Sequence, residues 1–199
     1  MLSRFLCGLP YFVMTEQEII KGCIQGDRLA QSKLYANYYA LMYNIVTRYA
    51  SEEDDKQALI NGGFFKVLDK INQYNNSYAL ATWIRNILVH NCIDDYRKKK
   101  RAIPEVALDE LAVEPVLVEY NDAKNEIETR EVLAILLQLP EASRNVFNLY
   151  AIDGYIHKEI AKMLDISPGT SRWHLNAARM KLKKLLEKKM HRNQSKVNT

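Results

Sequence analysis

The stretch "DISPGTSRWHLNAARMKLKKLL", Asp165 to Leu186, decides how the second half of the chain is read. Ser167 is a good N-cap, because its hydroxyl accepts one of the orphan backbone N–H groups of a first helical turn. Pro168 suits the first helical position, where its fixed φ is already helical and its missing N–H needs no partner. The spacing therefore predicts a helix from Pro168. Along it Ser171, Leu175, Ala178, Leu182 and Leu185 recur at i, i+4, i+7, i+11 and i+14, one face that packs inward. Arg172, Trp173, Asn176 and Arg179 fall beside or opposite that face and carry two guanidinium groups, an indole and an amide towards solvent.

Just upstream, "YIHKEIAKMLDIS" reads as a short helix holding Ile156, Ile160, Ala161 and Leu164, followed by a tight break at Asp165 to Ser167. Two helices joined this way form a helix-turn-helix, whose second helix enters the major groove with its N-terminal residues at the base edges. A plain helical hairpin with a solvated charged face is the competing reading. Charge favours the first. From Arg172 to Arg192 there are eight Lys or Arg against the single acid Glu187, a density suited to a phosphate backbone.

The 199 residues, 48% of them hydrophobic, are enough for one or two domains each with a core. Seven Gly and five Pro among many Leu, Ile, Ala and Lys favour an all-α protein. The net charge of +4 is small but unevenly spread. Cys7, Cys23 and Cys92 are odd in number and far apart, which supports neither a disulfide framework nor a zinc site and fits a reducing cytoplasm. The opening "MLSRFLCGLPYFV" lacks the polar, small-residue end of a secretory signal and is read as a disordered extension over 1–13. Met14 is the more natural start, with Thr15 as an N-cap and Gln17 or Glu18 near N3. No apolar run approaches a membrane span.

The first half is also helical. A long helical stretch breaks near Gly26-Asp27 and then carries Leu34, Tyr38, Leu41, Met42, Ile45 and Tyr49 on an apolar face. "SEEDDKQALINGGFFKVLDKI" starts with a capping-box pattern, Ser51 with Asp54, which assigns the acids Glu52 to Asp55 to a helix N-terminus. A metal-binding cluster is the sharper alternative, but adjacent acids on a helix diverge by about 100°. After the polar loop Asn75, Asn76 and Ser77, a helix buries Ile84, Leu88, Cys92 and Tyr96 and shows Asn86, His90, Asp94 and Arg97 on another stripe. It ends in five consecutive cations, Arg97 to Arg101, and begins beside Tyr74, Tyr78 and Trp83. Aromatics beside a cationic track are the composition that stacks and holds unpaired bases, although Trp83, next to Ile84 and Ile87, reads as core.

Taken in order, "FFKVLDKINQYNN", "TWIRNILVHNCIDDYRKKKR" and "LPEASRNVFNLYAIDGYIHKEIAKMLDISPGTSRWHLNAARMKLKKLL" resemble regions 2 and 4 of the extracytoplasmic-function (ECF) sigma factors, small alternative sigma subunits of bacterial RNA polymerase. The resemblance covers roughly residues 14 to 190 in the family's order and spacing. It implies an all-α fold of two small helical domains joined by a flexible acidic linker, the second a four-helix domain with the helix-turn-helix. The expected boundaries are 14–101 for region 2, 102–126 for the linker, 127–190 for region 4 and 191–199 for a tail. The linker holds no Lys or Arg from Ala102 to Ala123 but carries Glu105, Asp109, Glu110, Glu114, Glu119 and Asp122. In the family it threads the polymerase's basic RNA channels, which its charge suits.

The resemblance also implies three sites. Asp55, Asn61, Phe64, Phe65, Lys66 and Leu68 match the segment that docks on core polymerase. Asn75, Asn76, Ser77, Tyr78, Asn86, His90, Arg97, Lys98 and Lys99 match the part that opens the −10 element and captures a flipped base. Thr170, Arg172, Trp173, Asn176, Arg179 and Lys183 match the −35 reader. Two places depart from the family pattern. Asn61-Gly62, followed by Gly63, stands where a Gln-acid pair is usual, which loses a charge and loosens the helix by about 1 kcal/mol per Gly. Trp173 stands where a small or polar residue is usual.

The expected function is therefore promoter specificity without chemistry or cofactor. The expected partners are core RNA polymerase, duplex promoter DNA with its melted −10 strand, and an anti-sigma factor; no small-molecule substrate is expected. No nucleotide-binding, zinc-protease or triad pattern is present, and His90, His157, His174 and His191 are scattered. A stand-alone helix-turn-helix regulator explains residues 127–190 but leaves the first half unused. A metal-dependent nucleic-acid enzyme built on Glu52 to Asp55 is the third possibility.

Overall fold

A computed structural model describes residues 14–102 and 132–197. The expected extension, nearly all of the acidic linker and the last two residues of the tail lie outside the described residues. Everything described is helix or short connection, in agreement with the all-α expectation. No described helix is long and apolar enough to cross a membrane.

Helix α1 (Glu16–Ile24) starts at a capping box: Glu18 N–H donates to the Thr15 hydroxyl at 3.3 Å, and Thr15 N–H donates to the Glu18 carboxylate at 2.8 Å. The chain turns at Gly26, whose φ of +78° favours glycine. Asp27 then caps α2 (Arg28–Val46) by accepting from Leu29 N–H at 2.9 Å. Leu34, Met42, Ile45 and Tyr49 are buried as their spacing predicts, with Tyr38 and Leu41 half-buried beside them.

The start of α3 (Glu53–Lys70) differs from the expected capping box. Its N-cap is Glu52 and makes no side-chain capping bond, so Ser51 lies one residue too early to serve. The acids still sit where a helix dipole favours them, with Glu53, Asp54 and Asp55 in the first turn. Two of them are engaged: Glu53 accepts from Lys56 at 3.1 Å, and Asp55 pairs with Lys99 at 3.2 Å. After a 3₁₀ turn (Ile71–Gln73) and the polar loop, α4 (Leu80–Ala102) buries Ile84, Leu88 and Cys92 as expected, with Tyr96 half-buried. Trp83 packs against this core and lies 5.5 Å from the Tyr74 ring.

Gly63 has a different role from the one its helix propensity implies. It is buried where α3 crosses α4, and a Cβ there would stand 2.4 Å from Leu88 Cδ1. Leu88 is itself fully buried, so it has little room to yield. Gly63→Ala is expected to destabilise the protein by about 1–3 kcal/mol through overpacking, although Ala is the better helix former. Gly62 is exposed, and its added Cβ would meet nothing closer than 3.6 Å, so Gly62→Ala should be neutral or stabilising. Urea unfolding of both variants checks the contrast.

In the second half, 132–136 form a short helix, α5, and α6 (Glu141–Phe147) continues into a π-helical turn (Asn148–Ile152). Helix α7 (His157–Leu164) buries Ile160, Ala161 and Leu164. Ile156 does not join them; it is the N-cap residue and is 58% exposed. Asp165 closes α7 at φ +56°, and α8 (Pro168–Val197) begins where the Ser-Pro pair predicts, with Thr170 N–H donating to the Ser167 hydroxyl at 3.0 Å. Its inner face is the expected one: Ser171, Leu175 and Ala178 are buried, with Leu182 and Leu185 half-buried.

The two halves pack against each other. Val146, Leu149, Ile160, Leu164 and Leu175 belong to the same continuous core as Leu34, Ile60 and Leu88. At the seam Asp153 is sunk between Arg48 and Tyr49: the Arg48 guanidinium donates to both carboxylate oxygens at 3.1 and 3.3 Å, and the Tyr49 hydroxyl donates at 2.9 Å. The side chains of Arg48 and Asp153 are 8% and 2% exposed. Arg144 donates to the Tyr49 carbonyl at 3.2 Å and Asn148 to the Arg48 carbonyl at 2.9 Å. Asp153 is the residue that closes the π turn, and Gly154 at φ +80° follows it.

Candidate nucleic-acid interface

The expected −35 residues lie on α8. Arg172, Asn176, Arg179 and Lys183 follow one another at i, i+4, i+7 and i+11 and are all exposed, with Trp173 beside them at 64% exposure. Thr170 is half-buried and shares a 2.9 Å hydrogen bond with the Ser167 hydroxyl, so it helps to build the helix start. Arg179 lies over the Tyr150 ring at 5.8 Å from its centroid, and Tyr150 stacks on His157 at 4.6 Å. His157 Nδ1 is 2.9 Å from the Ser171 hydroxyl, tying the start of α7 to α8. Neither Tyr150 nor His157 was among the expected −35 residues. The signal that finds them is tertiary, since 29 positions separate Tyr150 from Arg179.

On the first half the expected −10 residues divide into a loop and a helix. Asn75 accepts from Ser77 N–H at 3.1 Å, which fixes the loop, and Asn76 takes a left-handed φ of +58°. Tyr78 is 73% exposed, and its carbonyl accepts from the Tyr74 hydroxyl at 2.7 Å. Its ring is thus presented to solvent from a fixed backbone. Asn86 and His90 are exposed one turn apart on α4, with His90 Nδ1 at 2.7 Å from the Asn86 carbonyl. Arg97 is half-buried and Lys98 exposed. Lys99 is not a free cation, because it bonds Asp55 and Asp95, each at 3.2 Å. Burial works against its charge, but these two carboxylates outweigh that and raise its pKa above the usual lysine value.

The expected docking residues lie along α3 with unequal exposure. Phe65 is 72% exposed, whereas Phe64 turns inward against Tyr35 at 5.0 Å and Leu68 is half-buried. Asn61 accepts from Gln57 at 3.0 Å, and Lys66 pairs with Asp94 at 2.9 Å. Only Phe65 of this set offers a large apolar side chain to a partner.

The described residues thus present an exposed cationic stripe on α8, an aromatic loop beside a basic helix and one outward Phe on α3. Residues 34–102 match the family described as Sigma-70 region 2, and residues 129–182 that described as Sigma-70, region 4. Between them the two matches take in more than half of the chain, which belongs to the ECF sigma factors of the sigma-70 family. Among its relatives are the ECF RNA polymerase sigma factor SigM of Mycobacterium tuberculosis, 24% identical over 86% of this chain and 85% of that protein. Another is the ECF RNA polymerase sigma-E factor of Haemophilus influenzae, 26% identical over 83% and 92%. Among solved structures, CnrH in complex with the cytosolic domain of CnrY aligns at a TM-score of 0.45 and 20% identity, covering 85% of this chain and 95% of that one. RpoE in complex with the anti-sigma factor NepR from Bartonella quintana aligns at 0.47 and 18%, covering 78% and 96%.

Proposed function

We propose that this chain is an alternative sigma factor that binds core RNA polymerase, directs it to promoters through −10 and −35 elements and starts promoter melting, with no chemistry of its own. The observation that carries this reading is the pairing of a Sigma-70 region 2 and a Sigma-70 region 4 in one chain, with most of the side chains expected to meet DNA exposed in each. A stand-alone regulator needs only the second. In this reading Arg172 and Asn176 meet −35 base edges, Arg179 and Lys183 meet phosphates, and Tyr78 with Asn86 and His90 engages the opened −10 strand. Phe65 anchors the polymerase contact. An anti-sigma factor is the further partner this reading implies.

Two elements named −10 and −35 lie about 25 base pairs apart, about 85 Å of B-DNA at 3.4 Å per base pair. A compact body of this length has a radius of gyration of about 16 Å, too small to touch both. The halves must part when both elements are bound, and the seam at Asp153 is where they part.

Phe65→Ser removes an exposed side chain that supports no core, so folding should be untouched while affinity for core polymerase falls by about tenfold or more, as for loss of an aromatic anchor. Co-elution of the chain with core polymerase on size exclusion, with thermal unfolding as the control, tests this. Undiminished co-elution of the variant would remove Phe65 from the docking site, and failure of the parent chain to co-elute would favour the stand-alone regulator.

A further inference from the structure

Next to the expected −35 reader, three segments bring four groups to one surface. Arg172 and Arg179 come from α8, Tyr150 from the π turn and His157 from the start of α7. The arginines are exposed and His157 is half-buried. One His157 nitrogen is engaged with Ser171 and one ring face with Tyr150. The charges around this imidazole are one-sided. From α8 it faces Arg172 and Arg179. Its own helix offers Lys158 and Glu159, but the Glu159 carboxylate is turned back to accept from Ile156 N–H at 2.9 Å. Helix α4, also packed on α7, sends Arg85 to Asp153 and His90 to Tyr155. Among the described residues, therefore, no carboxylate answers the cations around His157.

Such a cluster of cationic and polar groups suits an anion. Building on the reading of α8 as the −35 helix, we infer that Tyr150 and His157 extend that interface as a proton-coupled contact to the DNA backbone, with His157 binding a phosphodiester as its imidazolium. The Nδ1 nitrogen holds Ser171 in either protonation state, accepting from the hydroxyl when neutral and donating to it when charged. The other nitrogen carries its N–H towards phosphate in both states, and the proton taken up sits on Nδ1 and supplies the positive charge that strengthens the contact. Tyr150 holds His157 on one side and Arg179 on the other, so the backbone donors are set before DNA arrives. Tyr150 is thus a positioning residue.

The pH dependence follows from the surroundings. In the free chain, burial first and then Arg172 and Arg179 hold His157 below the usual histidine pKa. Phosphate beside it offsets the arginines and raises that pKa, so binding takes up a proton. Affinity should rise as pH falls through the bound-state pKa and level off once pH is below the free-state pKa.

The test is binding of the full chain to a duplex of randomised sequence, at constant ionic strength, between about pH 8 and about pH 5.5. The wild type should gain about three- to tenfold in affinity on acidification, within the limit of tenfold per pH unit for one proton. His157→Gln should lose most of that gain and keep the affinity seen at high pH. His157→Lys should hold the affinity seen at low pH across the range. Tyr150→Ala should weaken binding and Tyr150→Phe, which keeps the ring, should restore most of it. Wild-type acid dependence surviving in His157→Gln, or identical profiles for the Gln and Lys variants, would overturn the inference while leaving α8 as a DNA reader. A wild type that binds duplex with no acid dependence would overturn the inference, and one that binds at no pH, alone or with core polymerase, would overturn both.

Discussion

Asp153→Ala is expected to open the protein. The substitution leaves the Arg48 guanidinium, 8% exposed, without its carboxylate, and takes the acceptor from the Tyr49 hydroxyl. Breaking a buried pair from one side costs about 3–5 kcal/mol, because the remaining charge stays desolvated. Here the charge can regain water if the halves separate, since Arg48 belongs to one half and Asp153 to the other. Small-angle scattering should show a larger radius of gyration, with urea unfolding at lower denaturant. Replacing all three groups, Arg48→Met and Tyr49→Phe with Asp153→Leu, should recover most of the stability and keep the halves together, since the apolar set leaves neither a stranded charge nor an unpaired hydroxyl. An Asp153→Ala protein with unchanged scattering and an unchanged urea midpoint would show that this ion pair does not hold the seam. Burial and the Asp153 carboxylate also push the Tyr49 hydroxyl well above its usual pKa, so it remains a donor throughout the neutral range.

Arg172→Ala should change which promoters are used. Pro168 and Ser167 fix the start of α8, and Leu175 and Ala178 hold it on the domain. Arg172 therefore leaves from the first turns of the helix, where a recognition helix meets base edges. An Arg bidentate to guanine is worth about 1–3 kcal/mol of discrimination against the wrong base. Losing it should flatten preference at one −35 position by roughly five- to over a hundredfold and leave the others ranked as before. Arg179→Ala should act differently, since that guanidinium lies against Tyr150 two turns further along. It should weaken all −35 variants alike and reduce the salt slope by about one charge. Transcription from a library of −35 variants separates the two, and an Arg172→Ala ranking identical to wild type would place the reader elsewhere.

What the sequence made legible was local. The start of α8 follows from Ser167 and Pro168, its buried face from spacing, and the start of α1 from Thr15 and Glu18, because each depends on residues within a turn or two of one another. Where the local signal was shared, it misled. Ser51 and Asp54 have capping-box spacing, yet α3 begins one residue later, with Glu52 as its N-cap. Ile156 reads as part of an apolar face but precedes the helix. The π turn leaves no mark in hydrophobic period, and Arg48 and Asp153 are 105 positions apart, so neither the seam nor the continuous core across it is written in any one segment. Gly63 was read for its propensity when its importance lies in the missing Cβ beneath Leu88. Of the candidate site, the exposed stripe of α8 was legible from periodicity, whereas Tyr150 and His157 join it only through the fold.

Runoff transcription with core RNA polymerase on genomic fragments, with and without the chain, separates a sigma factor from a stand-alone regulator. A sigma factor yields discrete transcripts that appear only when both are present, from start sites sharing sequence about 10 and about 35 base pairs upstream and lost when either is scrambled. Transcripts that do not depend on the chain, or a chain that binds promoter DNA and represses while leaving core polymerase unengaged, would contradict the proposed function.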